Sequence, residues 1–304
     1  MYKVLFIAGP TAVGKTEYAI RLANDLNGEI VSADSMQIYK YMDIGSAKPT
    51  AEEQAIAKHW LIDEIDPRQP FNVSDYQKLA KKYITDIHER GKLPIVCGGT
   101  GLYFNSLLYD MDFSAPEGDD NYRQELIKKY DTPEKLFARL RELDPDAGDE
   151  SDMNNVKRIA RYVERLEKGE SKLAEFSEML NPSKEFIPVL AVLTMDREKL
   201  YDRINLRVDK LIDMGLVDEV NNLMNMGFTS DDIAMKGIGY KELMEGLPLD
   251  EAINKIKINT RHYAKRQITW FKRYKEAATW FDVNQQGYDV LLNWVKEKLL
   301  LFSS

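Results

Sequence analysis

"VLFIAGPTAVGKTEYAI", residues 4–20, is the stretch whose reading decides the fold. Val4 to Ile7 is a short, wholly apolar run, the pattern of a strand buried on both faces. Gly9, Pro10, Thr11, Ala12, Val13, Gly14, Lys15 and Thr16 follow as G-x-x-x-x-G-K-T, and a helical pattern over Glu17 to Leu26 comes next. Strand, glycine loop and helix in that order make a phosphate cradle. Glycines let backbone N–H groups converge, the lysine reaches outer phosphates, and the Thr16 hydroxyl suits Mg²⁺. The loop alone does not say whose phosphates these are, and a nucleotide such as ATP fits it as well as any other diphosphate.

Working outward, Glu29 to Ala33 reads as a second short strand, and Ser74 to Arg90 as a helix with Leu79, Tyr83, Ile84 and Ile87 on one side. "KLPIVCGGTGLYFNSLL" is a further strand, stopped by paired glycines before another helix. The expected core is therefore α/β, a P-loop NTPase-like parallel sheet flanked by helices. From about Phe113 to Pro188 the sequence turns charged, helical and proline-punctuated, and residues 113–188 are read as a mostly helical insertion domain. "FIPVLAVLTM" then returns to the core as a strand, so residues 1–112 and 189–304 form the catalytic core, its remainder mostly helix up to Leu301.

The 304 residues, 44% hydrophobic and 30% charged, suit a globular chain of one or two domains. No stretch reads as a signal peptide or a membrane span, so a cytoplasmic protein without a membrane partner is expected, and a monomer. Cys97 is single and lies in an apolar run, which fits a buried structural thiol. The three histidines are scattered and suggest no metal cluster.

Ligands in open parallel sheets sit beyond the carboxyl ends of strands. Three such ends carry chemistry here: the phosphate loop, "SADS" with Asp34, and "CGGTG" with Thr100 behind two glycines that would allow close ligand approach. Standing alone, Asp34 would equally be a turn residue and Thr100 a helix N-cap. An ATP-dependent kinase would place a metal-binding acid at the end of the third strand; glycines and threonine stand there instead.

The net charge is −8, yet Lys255 to Lys275 holds eight Lys/Arg and no Asp/Glu, with Tyr263, Trp270, Phe271 and Tyr274 interleaved. Cations for a phosphate backbone beside aromatic faces for unstacked bases suit an RNA loop. An amphipathic helix with solvated cations and inward aromatics would share that composition. A second basic stripe, Arg158, Arg161 and Arg165 beside Lys157, recurs on one helical face, with Val156, Ala160 and Val163 free to face a core.

Taken together, "GPTAVGKT", "SADSMQIYKYMDIGSAKPT", "CGGTGLYF", "NNVKRIARYVE", "KGIGYKE" and "TRHYAKRQITWFKR" resemble the tRNA dimethylallyltransferases, in that family's order over residues 9–273. The resemblance implies transfer of a dimethylallyl group from dimethylallyl diphosphate to N6 of adenosine 37, just 3′ of the tRNA anticodon, with Mg²⁺ and release of diphosphate. It implies Asp34 as general base, Thr100 as a hydrogen-bonding partner of the adenine or of the base itself, Arg207 as a further cation on the diphosphate, and Thr16 at the metal. It also implies contacts to the anticodon stem-loop from Asp34, Ser35, Met36 and Gln37, from Thr100, and from Arg123, Lys157, Arg158 and Arg161 in the insertion. Further contacts would come from Lys236, Gly239, Tyr240 and Lys241, and from Lys265, Arg266, Gln267, Trp270 and Lys272. Three other readings are a small-molecule kinase, a prenyltransferase acting on free AMP or ADP, and a non-catalytic RNA-binding module.

Overall fold

The computed structural model of the chain describes residues 1–111, 119–146, 153, 155–169 and 181–300. Packing divides the chain into two units, residues 1–110 with 182–304, and residues 111–181. In the larger unit the elements run β1 (Tyr2–Ala8), α1 (Lys15–Asp25), β2 (Gly28–Ala33), α2 (Ala51–Ile56), β3 (His59–Trp60), α3 (Val73–Glu89), β4 (Leu93–Gly98) and α4 (Gly101–Leu108). The smaller unit contributes α5 (Asp120–Tyr130), α6 (Pro133–Leu143) and α7 (Val156–Glu167). The chain then completes the larger unit with β5 (Phe186–Thr194), α8 (Arg197–Asp213), α9 (Leu216–Asn225), α10 (Tyr240–Met244), α11 (Leu249–Phe271), β6 (Thr279–Asp282) and α12 (Tyr288–Leu300).

The six strands form one sheet in the order β3-β2-β4-β1-β5-β6, and every pairing is parallel. β1 lies between β4 and β5, so both its edges are paired, and with helices packed on both faces Val4 to Ala8 are fully buried. Its side chains alternate. Leu5 and Ile7 join a core with Ala19 and Leu22 of α1, Leu200 and Ile204 of α8, and Leu291 and Val295 of α12. Phe6 faces the other way, onto Phe104 of α4 and Phe186 of β5, with ring centroids 5.9 and 6.1 Å away.

The strand register sets out the site. Ala8 of β1 and Ala33 of β2 both pair with Gly98 of β4. The three strands therefore end in one row, and Gly9, Asp34 and Gly99 leave the sheet side by side.

Two edge strands were not visible in sequence. β3 is only two residues long, and β6, "TWFD", falls in a stretch read as mostly helix up to Leu301. A short strand at an edge is specified by its neighbour's free backbone groups rather than by its own pattern. The division at Asn181 also precedes the expected boundary at 188, because Phe186 to Val192 already pair with β1 and Tyr109 bridges Pro182.

The smaller unit has its own core of Leu126, Leu136, Leu140, Ile159, Ala160 and Val163. Asn155 caps α7 by accepting from the Arg158 amide. Buried Glu164 accepts from the Asp119 amide and pairs with Arg123 and Lys168, which holds its carboxyl down at about 2 against the cost of burial.

Candidate active site

The phosphate loop is shaped by two glycines with positive φ. Gly9 has φ 149°, where a Cβ would come within 2.5 Å of the Leu193 carbonyl oxygen; Gly14, φ 105°, caps α1. Lys15 and Thr16 open the helix, so their side chains and the first-turn amides face the space beyond β1. Lys15 Nζ donates to the Pro10 carbonyl at 2.8 Å, closing the loop on itself. Burial lowers the Lys15 ammonium to about 8; Arg207 pushes the same way, and Cys97 and Asp34 oppose it. Burial also pushes the neighbouring Cys97 thiol up to about 12, leaving it an inert wall residue whose Sγ–H points at the Lys15 carbonyl, 3.7 Å away.

Asp34 follows β2 and begins a turn. Its Oδ1 accepts from the Met36 amide at 2.9 Å, while Oδ2 has no hydrogen bond among the described residues. The turn reading and the functional reading therefore coexist: one oxygen fixes the carboxylate and the other remains an acceptor. Arg207 reaches the same pocket from α8, where burial lowers its pKa and Asp34 raises it. One pocket wall includes Thr11, Lys15, Thr16, Asp34, Cys97, Arg207, Tyr263 and Gln267.

Thr100 occupies the N-cap position of α4, yet its side chain does not cap. Its hydroxyl instead accepts from the Ser35 amide at 3.1 Å, bracing the turn that begins with Asp34. The glycines around it are required by the protein's own packing, a reason the sequence did not show. A Cβ on Gly98 would meet the Ala33 carbonyl oxygen at 2.2 Å, on Gly99 the Gln267 Nε2 at 2.1 Å, and on Gly101 the Trp270 ring at 2.3 Å.

Several residues expected at RNA are committed inside the chain. Gln267 is 5% exposed; its Oε1 accepts from the Thr11 amide at 2.8 Å and its Nε2 donates to the Gly99 carbonyl at 2.9 Å. The Thr11 amide is thus engaged, not free for a phosphate. Gln37 accepts from Ser32 at 2.9 Å and donates to the Ser46 and Ala47 carbonyls. Tyr240 is buried, and Gly239 sits at the N-cap of α10 with its amide on Glu242 at 2.7 Å. Arg123 pairs with Glu164. Trp270 packs against Gly101, half-buried, with Arg273 over its ring. By contrast Lys157, Arg161, Lys236, Lys241, Lys265, Arg266 and Lys272 are exposed, Ser35, Met36 and Arg158 partly so.

Three residues at or around the pocket were not expected there from sequence. Arg203 lies one helical turn before Arg207, its guanidinium 3.7 Å from where a Gly14 Cβ would stand; the i, i+4 spacing was the available signal. Tyr263 lines the pocket, and its phenol faces Thr100, Gln267 and the charge of Asp34. Glu219 on α9 accepts from the amides of Asp43, Ile44 and Gly45 at 2.8, 2.7 and 3.0 Å and from the Tyr240 hydroxyl at 2.7 Å. That clamp fixes the loop whose next carbonyls hold Gln37, and no local pattern announces it.

For a cation, the pocket offers the Thr16 hydroxyl and the Asp34 carboxylate, and no group of three or more His, Cys, Asp or Glu among the described residues could hold one. So few protein donors fit a Mg²⁺ bound mainly through a diphosphate and water, not a resident metal in a protein cage.

A phosphate loop after β1, a carboxylate at the end of β2, one strand further along the sheet past β4, and two arginines on a crossing helix define a group-transfer enzyme of the P-loop-like α/β class. The chain belongs to the IPP transferase family, whose model matches residues 37–274. It is 50% identical over 297 residues to the tRNA dimethylallyltransferase of Clostridioides difficile strain 630, covering 95% of each chain. With the enzyme of the same name from Acetivibrio thermocellus it shares 50% identity over 298 residues, 95% of this chain and 94% of that protein. The crystal structure of the full-length tRNA isopentenylpyrophosphate transferase from Bacillus halodurans superposes with a TM-score of 0.74 at 41% identity, covering 98% and 97% of the two chains. A eukaryotic dimethylallyltransferase captured acting on tRNA gives a TM-score of 0.80 at 27% identity, over 97% of this chain and 78% of the other.

Proposed function

We infer that this enzyme transfers the dimethylallyl group of dimethylallyl diphosphate to N6 of adenosine 37 in the tRNA anticodon loop, releasing diphosphate. The observation that carries the reading is the flush ending of β1, β2 and β4, which sets Asp34 beside Lys15, Thr16 and Arg207 in one pocket. In the transfer the allylic C–O bond breaks, the N6–C bond forms and one proton leaves N6. An exocyclic amine conjugated with its ring is a weak nucleophile, so a carboxylate that accepts the proton as the bond forms lowers the barrier. Asp34 is assigned that proton through Oδ2, since Oδ1 is held by Met36. Thr100, through Ser35, keeps the turn carrying Asp34 in place.

The leaving diphosphate gathers charge as the C–O bond lengthens. Lys15, Arg207 and the remaining loop amides are assigned to it, in a site where burial strengthens each interaction. Mg²⁺, when bound with the diphosphate at Thr16, supplies further neutralisation of that charge. The exposed cations Lys265, Arg266 and Lys272 of α11 and the turn after it, and Lys157 and Arg161 of α7, are assigned to RNA phosphates, with the base swung out of its stack to reach Asp34.

Incubation with labelled dimethylallyl diphosphate, Mg²⁺ and either unmodified tRNA or AMP, without ATP, tests this reading. Label is expected in tRNA alone. Transfer only to AMP, or an absolute need for ATP, overturns it.

A further inference from the structure

Helix α11 has two unlike faces. Its outer face carries Lys265 and Arg266, exposed and without an ion pair among the described residues; its inner face buries Ala264, Gln267 and Phe271. Gln267 is the point at which this helix meets the phosphate loop. Its amide bridges the Thr11 N–H, just past β1, and the Gly99 carbonyl, just past β4. Thr11 is the one loop amide held by a side chain among the described residues. The fit leaves no slack, since a Cβ on Gly99 would lie 2.1 Å from the Gln267 nitrogen. One turn earlier on the same face, Tyr263 faces Thr100 and Asp34. A buried amide satisfied at both ends resists displacement, because moving either partner strands a donor or acceptor out of water.

We propose that Gln267 is a positioning residue that couples tRNA binding on α11 to the geometry of the phosphate loop, so that tRNA and diphosphate each tighten the other's binding. The proposal rests on the function inferred above. RNA anchored on the outer face restrains α11, the Gln267 bridge carries that restraint to Thr11, and a loop already held in shape binds diphosphate with less ordering cost. Linkage makes the effect reciprocal.

The test is calorimetric titration of the full chain with inorganic diphosphate and Mg²⁺, with and without unmodified tRNA. In the wild type tRNA is expected to tighten diphosphate binding roughly 5- to 150-fold, the usual range of coupling between sites. Gln267→Met keeps the volume and removes both hydrogen bonds. It should reduce the coupling to less than about twofold while changing tRNA affinity of the diphosphate-free protein by less than about threefold. Gly99→Ala displaces the same amide from the opposite side and should abolish the coupling in the same way, so the result does not depend on one variant folding. Coupling retained in either folded variant, or absent from the wild type, overturns the proposal. So does a fall in tRNA affinity alone that matches the missing coupling, which would mark a direct RNA contact. If the wild type binds neither tRNA nor diphosphate, the underlying function fails instead, and that is seen before any variant is made.

Discussion

At Asp34 the Met36 amide fixes one carboxylate oxygen and leaves the other open, which is what the proposed general base requires. Asp34→Ala is expected to lower turnover by roughly 10²–10⁴-fold, the scale of a positioned base, while tRNA binding persists in a filter or mobility assay. Near-normal turnover would remove Asp34 from that role. Lys15 gives a pH signature. Its ammonium in the free enzyme titrates at about 8, so affinity for diphosphate should be highest below that value and fall as pH rises through it. Titrations with inorganic diphosphate from about pH 7 to about pH 9.5 check this, and Lys15→Arg should flatten the profile because a guanidinium stays charged there. At this scale the motif residues were legible because the phosphate loop needs particular side chains at fixed spacing. Gln37, Gln267 and Tyr240, expected at RNA, have their side chains hydrogen-bonded within the chain, because a motif records that a residue is required, not which way it points.

At the scale of elements, α11 resolves the ambiguity of its composition. Phe271 and Tyr274 are core residues, and Lys255, Lys257 and Arg261 are tied to Glu245, Asp209 and Asn205. The N-terminal part of the basic run is thus the ordinary amphipathic helix, and the proposed RNA contacts are confined to its C-terminal part. Replacing Lys265 and Arg266 with alanine should weaken tRNA binding and leave thermal stability unchanged. The slope of log K against log salt should fall by about one for each phosphate that the variant no longer neutralises. A salt slope equal to the wild type's would place the RNA elsewhere. The helices with strong apolar periodicity, α3 and α7, were readable from sequence, whereas β3 and β6 were not: two to four residues carry too little pattern to outweigh the neighbour that recruits them.

For the whole molecule, stability against acid has a clear source on β2, next to the β3 edge of the sheet. Buried Glu29 accepts from Arg90 and Lys92 at 2.7 and 2.8 Å and from the Trp60 indole at 2.8 Å, and Arg90 above all holds its carboxyl down at about 2. A depressed carboxylate contributes stability that is complete above its ordinary value of 4.5 and is lost as pH falls through about 2. Glu29→Gln should therefore lower the melting temperature at pH 7, and its difference from the wild type should shrink as pH falls below 4.5. A constant difference across that window would assign the effect to packing instead.

The sequence by itself determined the phosphate loop, the parallel core around Val4 to Ile7, Asp34 at a strand end and a basic aromatic run, because each depends on local spacing and residue type. Only the tertiary structure decided which of these meet. The shared register at Gly98 aligns β1, β2 and β4, α8 brings Arg203 and Arg207 to the loop, and Glu219 and Gln267 join segments 174 and 256 residues away in the chain. Such contacts arise when the core closes and buried polar groups must find partners, so no window of sequence contains them.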